Sequence, residues 1–317
     1  MAIRDAVTPL GSPGPYLDDL RAVLDTLART NEGPDAVGFI ARNRAIDELD
    51  LHLVELAHHL NHDDVGIARV AEFVTRVVTL RDRLQQINDS IVQRLREQIA
   101  TGSISRHELL TTLQQYVGGA GDGTRDDVKY DDLDVLMAAI LSTDQVVDDR
   151  AVELDPEMVP YQPTPARLIL ALVQEIRPTE RDVFVDVGSG LGTVPALVSL
   201  LTGAHAVGIE WHPGHYAQAQ RSVRDLNLSA VSFVRQDARD ADYTAGTIFY
   251  MFTPFKGTML RDVLQRLDGE GRRRAIRLCV HGPLLRQAIH EFSSFSLENG
   301  RSADDFIAIF QTSPAVS

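Results

Sequence analysis

Apolar residues recur at three- and four-residue steps through most of the first half of the chain. Leu17, Leu20, Val23, Leu24 and Leu27 form the first such stripe, which predicts a helix with one apolar face. Asn31–Pro34 breaks it. A second helix is expected over about 35–60, carrying Ile46, Leu49, Leu53, Leu56 and Leu60. A third is expected over about 65–100, carrying Val70, Phe73, Val77, Leu80, Leu84, Ile87, Ile91, Leu95 and Ile99, with a kink or division near Asn88–Ser90. A fourth, over 105–116, opens with Ser105-Arg106-His107-Glu108, the spacing of a capping box. Gly118–Asp134 is rich in Gly and Asp and reads as an exposed loop. A fifth helix follows over about 133–147. Stripes of this kind bury best against one another, so residues 1–150 are expected to form a helical domain.

Pro156, Pro160, Pro163 and Pro165 mark the approach to a second domain, 151–317, where the rhythm changes. A helix over 166–176 leads to a strand over 183–187. Helices are then expected over 193–201, 215–226 and 258–267, and strands over 206–209, 231–235, 247–252 and 276–280. Short strands alternating with helices predict an α/β fold, a Rossmann-like doubly wound parallel sheet covered on both faces. No internal repeat is visible.

Composition narrows the class. Apolar residues make up 44% and charged residues 24% of 317 residues, a globular profile. No apolar run approaches the roughly 18 residues of a membrane helix, and the first fifteen residues lack an apolar signal core. A cytoplasmic protein is expected. The lone Cys279 excludes an internal disulfide framework and a cysteine zinc site, and it reads as a small buried strand residue. The net charge of −14 is uneven: residues 1–155 hold 28 acids against 15 Lys/Arg, and the remainder hold 17 against 16. An acidic front half argues against broad nucleic-acid binding, whose affinity comes from phosphate contacts. Arg272, Arg273, Arg274 and Arg277 form a local basic run that reads as a solvated helix end.

The chemistry concentrates at strand ends. Val183-Phe184-Val185-Asp186-Val187 runs directly into Gly188-Ser189-Gly190-Leu191-Gly192 and then a helix. Glycines there allow a tight turn and close approach of a ligand to the backbone. Such a turn alone could serve a dinucleotide, but Asp186 beside it would repel a pyrophosphate and suits a ligand bearing an ammonium group. The next strand ends in Glu210, placed to accept ribose hydroxyls. The third ends in Gln236-Asp237-Ala238, where Asp237 can accept an adenine amino group.

The run D-V-G-S-G-L-G-T, then G-I-E, then Q-D-A resembles the class I S-adenosylmethionine (SAM)-dependent methyltransferases over residues 156–280. Within them it looks most similar to Dot1-like enzymes, which methylate protein lysine, through F-V-D-V-G-S-G-L-G, G-I-E, I-F-Y-M-F-T-P-F and an upstream Tyr161-Gln162-Pro163-Thr164-Pro165. The resemblance implies SAM as cofactor, held by Asp186, Gly188, Gly190, Gly192, Glu210 and Asp237. It also implies an upstream loop whose Tyr161 and Thr164 close over the methionine end.

In this fold the acceptor meets the ends of the fourth and fifth strands, here Tyr250-Met251-Phe252-Thr253-Pro254-Phe255 and His281-Gly282-Pro283. Dot1-like enzymes carry paired asparagines near Met251 and Phe252, and many amino-methylating relatives carry Asn or Asp where Thr253 stands. This departure weighs against DNA-adenine and histone-lysine acceptors. Methyl transfer needs alignment of the nucleophile and a group to take its proton, so His281, Tyr250 and Thr253 are the candidate catalytic residues. Phe252 and Phe255 read either as core or as the wall for an apolar acceptor. On the second expected helix, His52, Glu55, His59 and His62 share one face. That spacing could ligate a metal, but the default reading is a solvated face or helix contact, and no metal is assigned. The expected function is a methyltransferase acting on a small-molecule acceptor in specialised metabolism, and the helical domain is a candidate homodimer surface. A protein (lysine-type) acceptor and a non-catalytic SAM-binding protein are the alternatives, and an NAD-dependent reductase is a more distant one.

Overall fold

The computed structural model describes residues 13–30, 36–62, 67–117, 130–144, 155–282, 289–298 and 307–312. The chain forms two compact units, Met1–Arg94 and Leu95–Ser317. Among the described residues no helix is long and apolar enough to cross a membrane.

The first unit holds α1 (Pro13–Thr30), α2 (Ala36–His62) and most of α3 (Ile67–Ala100). Leu17, Leu20 and Leu24 of α1, Leu49 and Leu56 of α2, and Val70, Phe73, Val77 and Leu84 of α3 bury together, as their periodicity requires. Truncating a buried leucine of this kind costs about 2–5 kcal/mol. The helix α3 is not divided near Asn88–Ser90 but runs unbroken from Ile67 to Ala100. Asn88 is buried and accepts from Arg42 Nε at 2.6 Å while donating to Asn43 Oδ1 at 2.8 Å. Its polar atoms are satisfied by α2 side chains, so it has no need to interrupt the helix. The histidine face of α2 serves α1. Tyr16 hydroxyl lies 3.1 Å from His52 Nδ1 and its ring 5.5 Å from that of His59, whose Nε2 is 3.7 Å from Glu55. Among the described residues no three His, Cys, Asp or Glu side chains gather as metal ligands, and the side chain of His62 lies outside them.

The second unit begins well before residue 150. Its helix α4 (Arg106–Gln114) packs on a later helix, α7 (Thr193–Thr202), and α5 (Asp132–Leu141) packs on α6 (Ala166–Ile176) and on α7, the helices flanking the first strand. The sequence periodicity shows an apolar face on each but not what covers it. Ser105 caps α4 and Asp131 caps α5, each in a capping box. Residues 118–129 of the expected loop, and 145–147 of the expected fifth helix, lie outside the described residues.

Then α6 (Ala166–Ile176), β1 (Val183–Val187), α7 (Thr193–Thr202), β2 (His205–Glu210), α8 (Pro213–Asp225), β3 (Val231–Arg235), β4 (Ile248–Phe252), α9 (Gly257–Arg273) and β5 (Arg277–His281) follow the expected alternation. Two further strands, β6 (Phe295–Leu297) and β7 (Ala308–Thr312), were not expected. Together the strands form one sheet ordered β3-β2-β1-β4-β5-β7-β6. Pairing is parallel from β3 through β5 and antiparallel at β5–β7 and β7–β6. This is a Rossmann-like doubly wound sheet with an antiparallel edge. Val185, Val187, Phe249, Met251, Leu278 and Val280 bury against Val263, Leu264 and Leu267 of α9. The basic run at the end of α9 is split: Arg272 and Arg273 stay exposed, as expected of a solvated helix end, while Arg274 and Arg277 turn inward. Arg273 and Arg274 pair with Glu270, Arg274 also donates to the Tyr243 carbonyl, and Arg277 donates to the Ile176 carbonyl. Cys279 is a free, buried strand thiol. Because strand order reverses between β1 and β4, the crevice beyond their carboxyl ends is where a ligand finds room.

Candidate functional site

Gly188, Gly190 and Gly192, between β1 and α7, all adopt positive φ. A Cβ at Gly188 would stand 2.4 Å from the Pro254 Cβ, and one at Gly190 would stand 2.1 Å from the Tyr161 ring. The turn is therefore packed closely from the β4 side and from the segment preceding α6. Amides of Gly188 and Ser189 donate to the Ile209 carbonyl at 2.9 and 3.0 Å, tying the turn to β2.

Beside it a cavity of about 460 Å³ opens at the carboxyl ends of the strands. Gly188, Gly190, Glu210, Asp237, Tyr161, Phe252, Thr253 and His281 all line it, so most residues singled out from sequence converge. Asp186 lies just beneath, 3% exposed. Burial, and then the neighbouring Glu210 carboxylate, push the Asp186 carboxyl well above the ordinary carboxylate range. Glu210 is also raised by burial, although its Oε2 accepts from the Gly190 amide and its Oε1 from the His212 amide, both at 2.7 Å. Two carboxylates thus share one buried corner, and among the described residues no Lys or Arg lines the cavity. Asp237 differs. Arg239 grips it through Nη2 at 2.7 Å and holds its carboxyl below the usual range.

Five of the expected site residues are placed otherwise: Asp186, Thr164, Gly192 and Tyr250 do not line the cavity, and the Thr253 hydroxyl is engaged. Tyr250 is 1% exposed and does not line the cavity. Its hydroxyl lies 3.4 Å from that of Thr164, which is also buried, and within electrostatic reach of Asp186. The Tyr250 ring stacks near that of Phe184, Tyr250 is the register partner of Asp186, and neither it nor Thr164, expected as a cofactor contact, lines the cavity. Gly192 does not line the cavity either. A Cβ there would strike Phe233 and Ala219, so this glycine lets the start of α7 pack on β3 and α8. Thr253 does line the cavity, but its hydroxyl is engaged, donating to the His281 carbonyl at 2.8 Å.

The segment over 155–165 is fastened down as a strap. The Val159 amide donates to the Pro254 carbonyl at 3.0 Å, and Met158 bridges Phe255. The Glu157 carboxylate accepts from the amides of Thr258 and Met259 and from the Thr258 hydroxyl. It caps α9, and those bonds hold its carboxyl below the ordinary range. A depressed carboxylate stabilises above its unfolded pKa, and that contribution is lost as pH falls through the folded value. Glu157→Ala is expected to free both strap and helix end, seen as faster amide exchange over 157–161 and the first turn of α9. Unchanged protection there would show that the cap is idle.

Sequence reading missed Trp211, His212 and His215, which line the cavity beside Glu210. The His212 and His215 rings lie 4.2 Å apart, and Tyr161 lies 4.9 Å from His215. His215 Nδ1 is 4.0 Å from Glu210. The signal was present in Glu210-Trp211-His212-Pro213: Pro213 opens α8 and His212 caps it, so the strand-to-helix turn is short and its side chains stay at the site.

No family model matches the chain, and no curated protein matches it. Solved structures similar to it include an RNA methyltransferase from Salinibacter ruber in complex with S-adenosyl-L-homocysteine. That likeness has 19% identity and a TM-score of 0.39, over 49% of this chain and 96% of that one. A precorrin-6y C5,15-methyltransferase from Geobacter metallireducens GS-15 shows 15% identity and a TM-score of 0.40, over 54% and 97%. A magnesium protoporphyrin IX methyltransferase from Synechocystis PCC 6803 shows 13% identity and a TM-score of 0.36, over 47% and 81%.

Proposed function

We propose that the second unit binds SAM and transfers its methyl group to a small-molecule acceptor, as a cytoplasmic enzyme. The observation that carries this reading is the Asp186–Glu210 pair. Two carboxylates buried together, Glu210 lining a cavity that no described Lys or Arg lines and Asp186 buried next to it, suit a ligand that brings its own positive charge and hydroxyl donors. A dinucleotide would bring a pyrophosphate into the same corner and add repulsion. The cavity volume also falls in the range of about 300–1,000 Å³ usual for cofactor sites.

Asp186 is the partner for the ammonium group. Glu210 keeps acceptor capacity on both oxygens for ribose hydroxyls after its two backbone bonds. Asp237 faces the adenine amino group, with Trp211 and Met259 as apolar walls. When bound, SAM supplies a methyl group carried on a sulfonium. The chain's own task is to align the nucleophile, exclude water and accept a proton, and His281 at the end of β5 is the base.

A protein (lysine-type) acceptor and a non-catalytic SAM-binding role are outcomes that an acceptor screen separates from this one. A homodimer through the helical unit belongs to the same proposal, since α2 leaves Val37, Leu51 and Val54 exposed. Light scattering at twice the chain mass supports it, and the chain mass alone removes it.

The test is thermal denaturation with ligands. S-adenosylhomocysteine at a hundredfold excess over its Kd is expected to stabilise the protein by about 2.7 kcal/mol, and NAD by nothing. Glu210→Ala is expected to weaken cofactor binding by ~1–3 kcal/mol, from loss of a charged hydrogen-bond partner. Stabilisation by NAD alone would remove the methyltransferase reading.

A further inference from the structure

The cavity wall at the carboxyl ends of β4 and β5 is built differently from the Asp186–Glu210 corner. Phe252 and His281 are register partners across the two strands. Their rings stack with centroids 4.5 Å apart and planes within 11°. Both are half-buried and both line the cavity, with Pro254 and Phe255 nearby. The backbone there is strained. Thr253 has φ +46°, a region that a β-branched residue rarely enters. The other described non-glycine residues with positive φ, Ser142, Arg177 and Asn227, lie at helix ends or in a turn. Thr253 is held by its bond to the His281 carbonyl and by Gly282, where a Cβ would stand 2.4 Å from the Thr253 hydroxyl. The strained turn also carries Pro254 onto Gly188. Strain retained at a ligand cavity points to function, and here it joins the glycine turn to the stacked pair.

We infer that Phe252 and His281 form an acceptor platform, and that the acceptor is a flat, uncharged aromatic molecule methylated on a ring hydroxyl. This rests on the methyltransferase reading above. Stacking supplies the orientation that in-line transfer needs. The charge pattern supplies the selection. No described Lys or Arg lines the cavity, and Asp237 is already paired with Arg239, so an acceptor bearing carboxylate or phosphate would find no guanidinium or ammonium of the protein to pair with once buried. An ammonium acceptor would first have to lose a proton to free its lone pair. A phenol-type hydroxyl avoids both problems. The oxygen–methyl bond forms as the sulfur–methyl bond breaks, sulfur leaves as a neutral thioether, and the hydroxyl proton passes to the His281 imidazole.

The experiment uses the full chain saturated with S-adenosylhomocysteine. Equilibrium dialysis measures binding of 2-naphthol, 2-naphthoic acid, 2-naphthyl phosphate and a lysine-rich peptide, and turnover with SAM is measured in parallel. 2-Naphthol is expected to bind at least tenfold more tightly than either anion or the peptide, and to be the methylated compound. Phe252→Ala is expected to abolish that preference while S-adenosylhomocysteine affinity stays within about twofold. His281→Phe is expected to keep naphthol binding and lose turnover. If S-adenosylhomocysteine does not bind the wild-type chain, the underlying methyltransferase reading fails. If it binds but an anion or the peptide is preferred, or Phe252→Ala binds naphthol as well as wild type, the platform fails on its own.

Discussion

Asp186→Asn is expected to give a ligand-free protein that is more stable than wild type and a poorer binder of SAM. Asp186 is 3% exposed beside Glu210, and its carboxyl is pushed well above the ordinary range by burial and by that neighbour. A carboxyl with a raised folded pKa stabilises fully below its unfolded pKa, near 4, and that stability is lost as pH rises toward and through the folded value. At neutral pH the acid is therefore a liability in the empty site. The amide removes the liability, by ~1–3 kcal/mol on the scale of burying a poorly satisfied polar group. For a unit of this size that is roughly 2–4 °C in Tm per kcal/mol. The gain should fade as pH falls toward 4. The same change removes the partner of the ligand's ammonium group, so affinity should fall by roughly 10- to 100-fold. Denaturation scans between pH 4 and 8, with and without S-adenosylhomocysteine, read both effects. An unstabilised variant with full affinity would mean that Asp186 is an ordinary core acid.

Gly188→Ala is expected to be the most damaging single-methyl substitution in the second unit. The residue has φ +86°, and the added Cβ would stand 2.4 Å from the Cβ of Pro254, which sits in a rigid ring. The left-handed backbone costs an alanine about 1 kcal/mol or more, and overpacking adds ~1–3 kcal/mol. Relief would come only by moving the turn or the Thr253–Pro254 segment, and both line the cavity. Cofactor binding should therefore be lost along with ~2–4 kcal/mol of stability. Gly269→Ala is the control, since it lies within α9 with nothing within 4 Å of an added Cβ, and there alanine should be neutral or stabilising by up to about 1 kcal/mol. Denaturant unfolding of the pair decides the matter, because equal effects would show that the glycine turn is not under packing constraint.

Much of this was legible in the sequence because it depends on local chemistry. The strand-then-glycine run placed Gly188 and Gly190, and the acids closing β1, β2 and β3 came to one end of the sheet. Long apolar stripes gave the helices within a few residues of their ends. What escaped depended on partners distant in sequence. The pleat that turns Tyr250 away from the cavity is set by which face of β4 meets Phe184 and Thr164, and five apolar residues in a row do not reveal it. Gly192 looks like its neighbours but is required by Phe233, some forty residues on. Asn88 looked like a helix breaker until Arg42 and Asn43 were seen to satisfy it. The edge strands β6 and β7 are short and antiparallel, outside the alternation that identified the others. The apolar faces of α4 and α5 do not reveal that they pack on α6 and α7.

The central claim is that the buried Asp186–Glu210 corner is the seat of SAM. Calorimetric titration of the purified chain with SAM and with S-adenosylhomocysteine, in two buffers of different ionisation enthalpy, addresses it most directly. A carboxyl whose pKa is raised in the empty site and lowered again by an ammonium partner holds fewer protons in the complex, so binding releases protons at a pH between the two values. One site of micromolar or tighter affinity is expected, with heats that differ between buffers in the sense of proton release at such a pH, and loss of that difference in Asp186→Asn. Absence of binding by either ligand, or binding of full strength in both Asp186→Asn and Glu210→Ala, would contradict it.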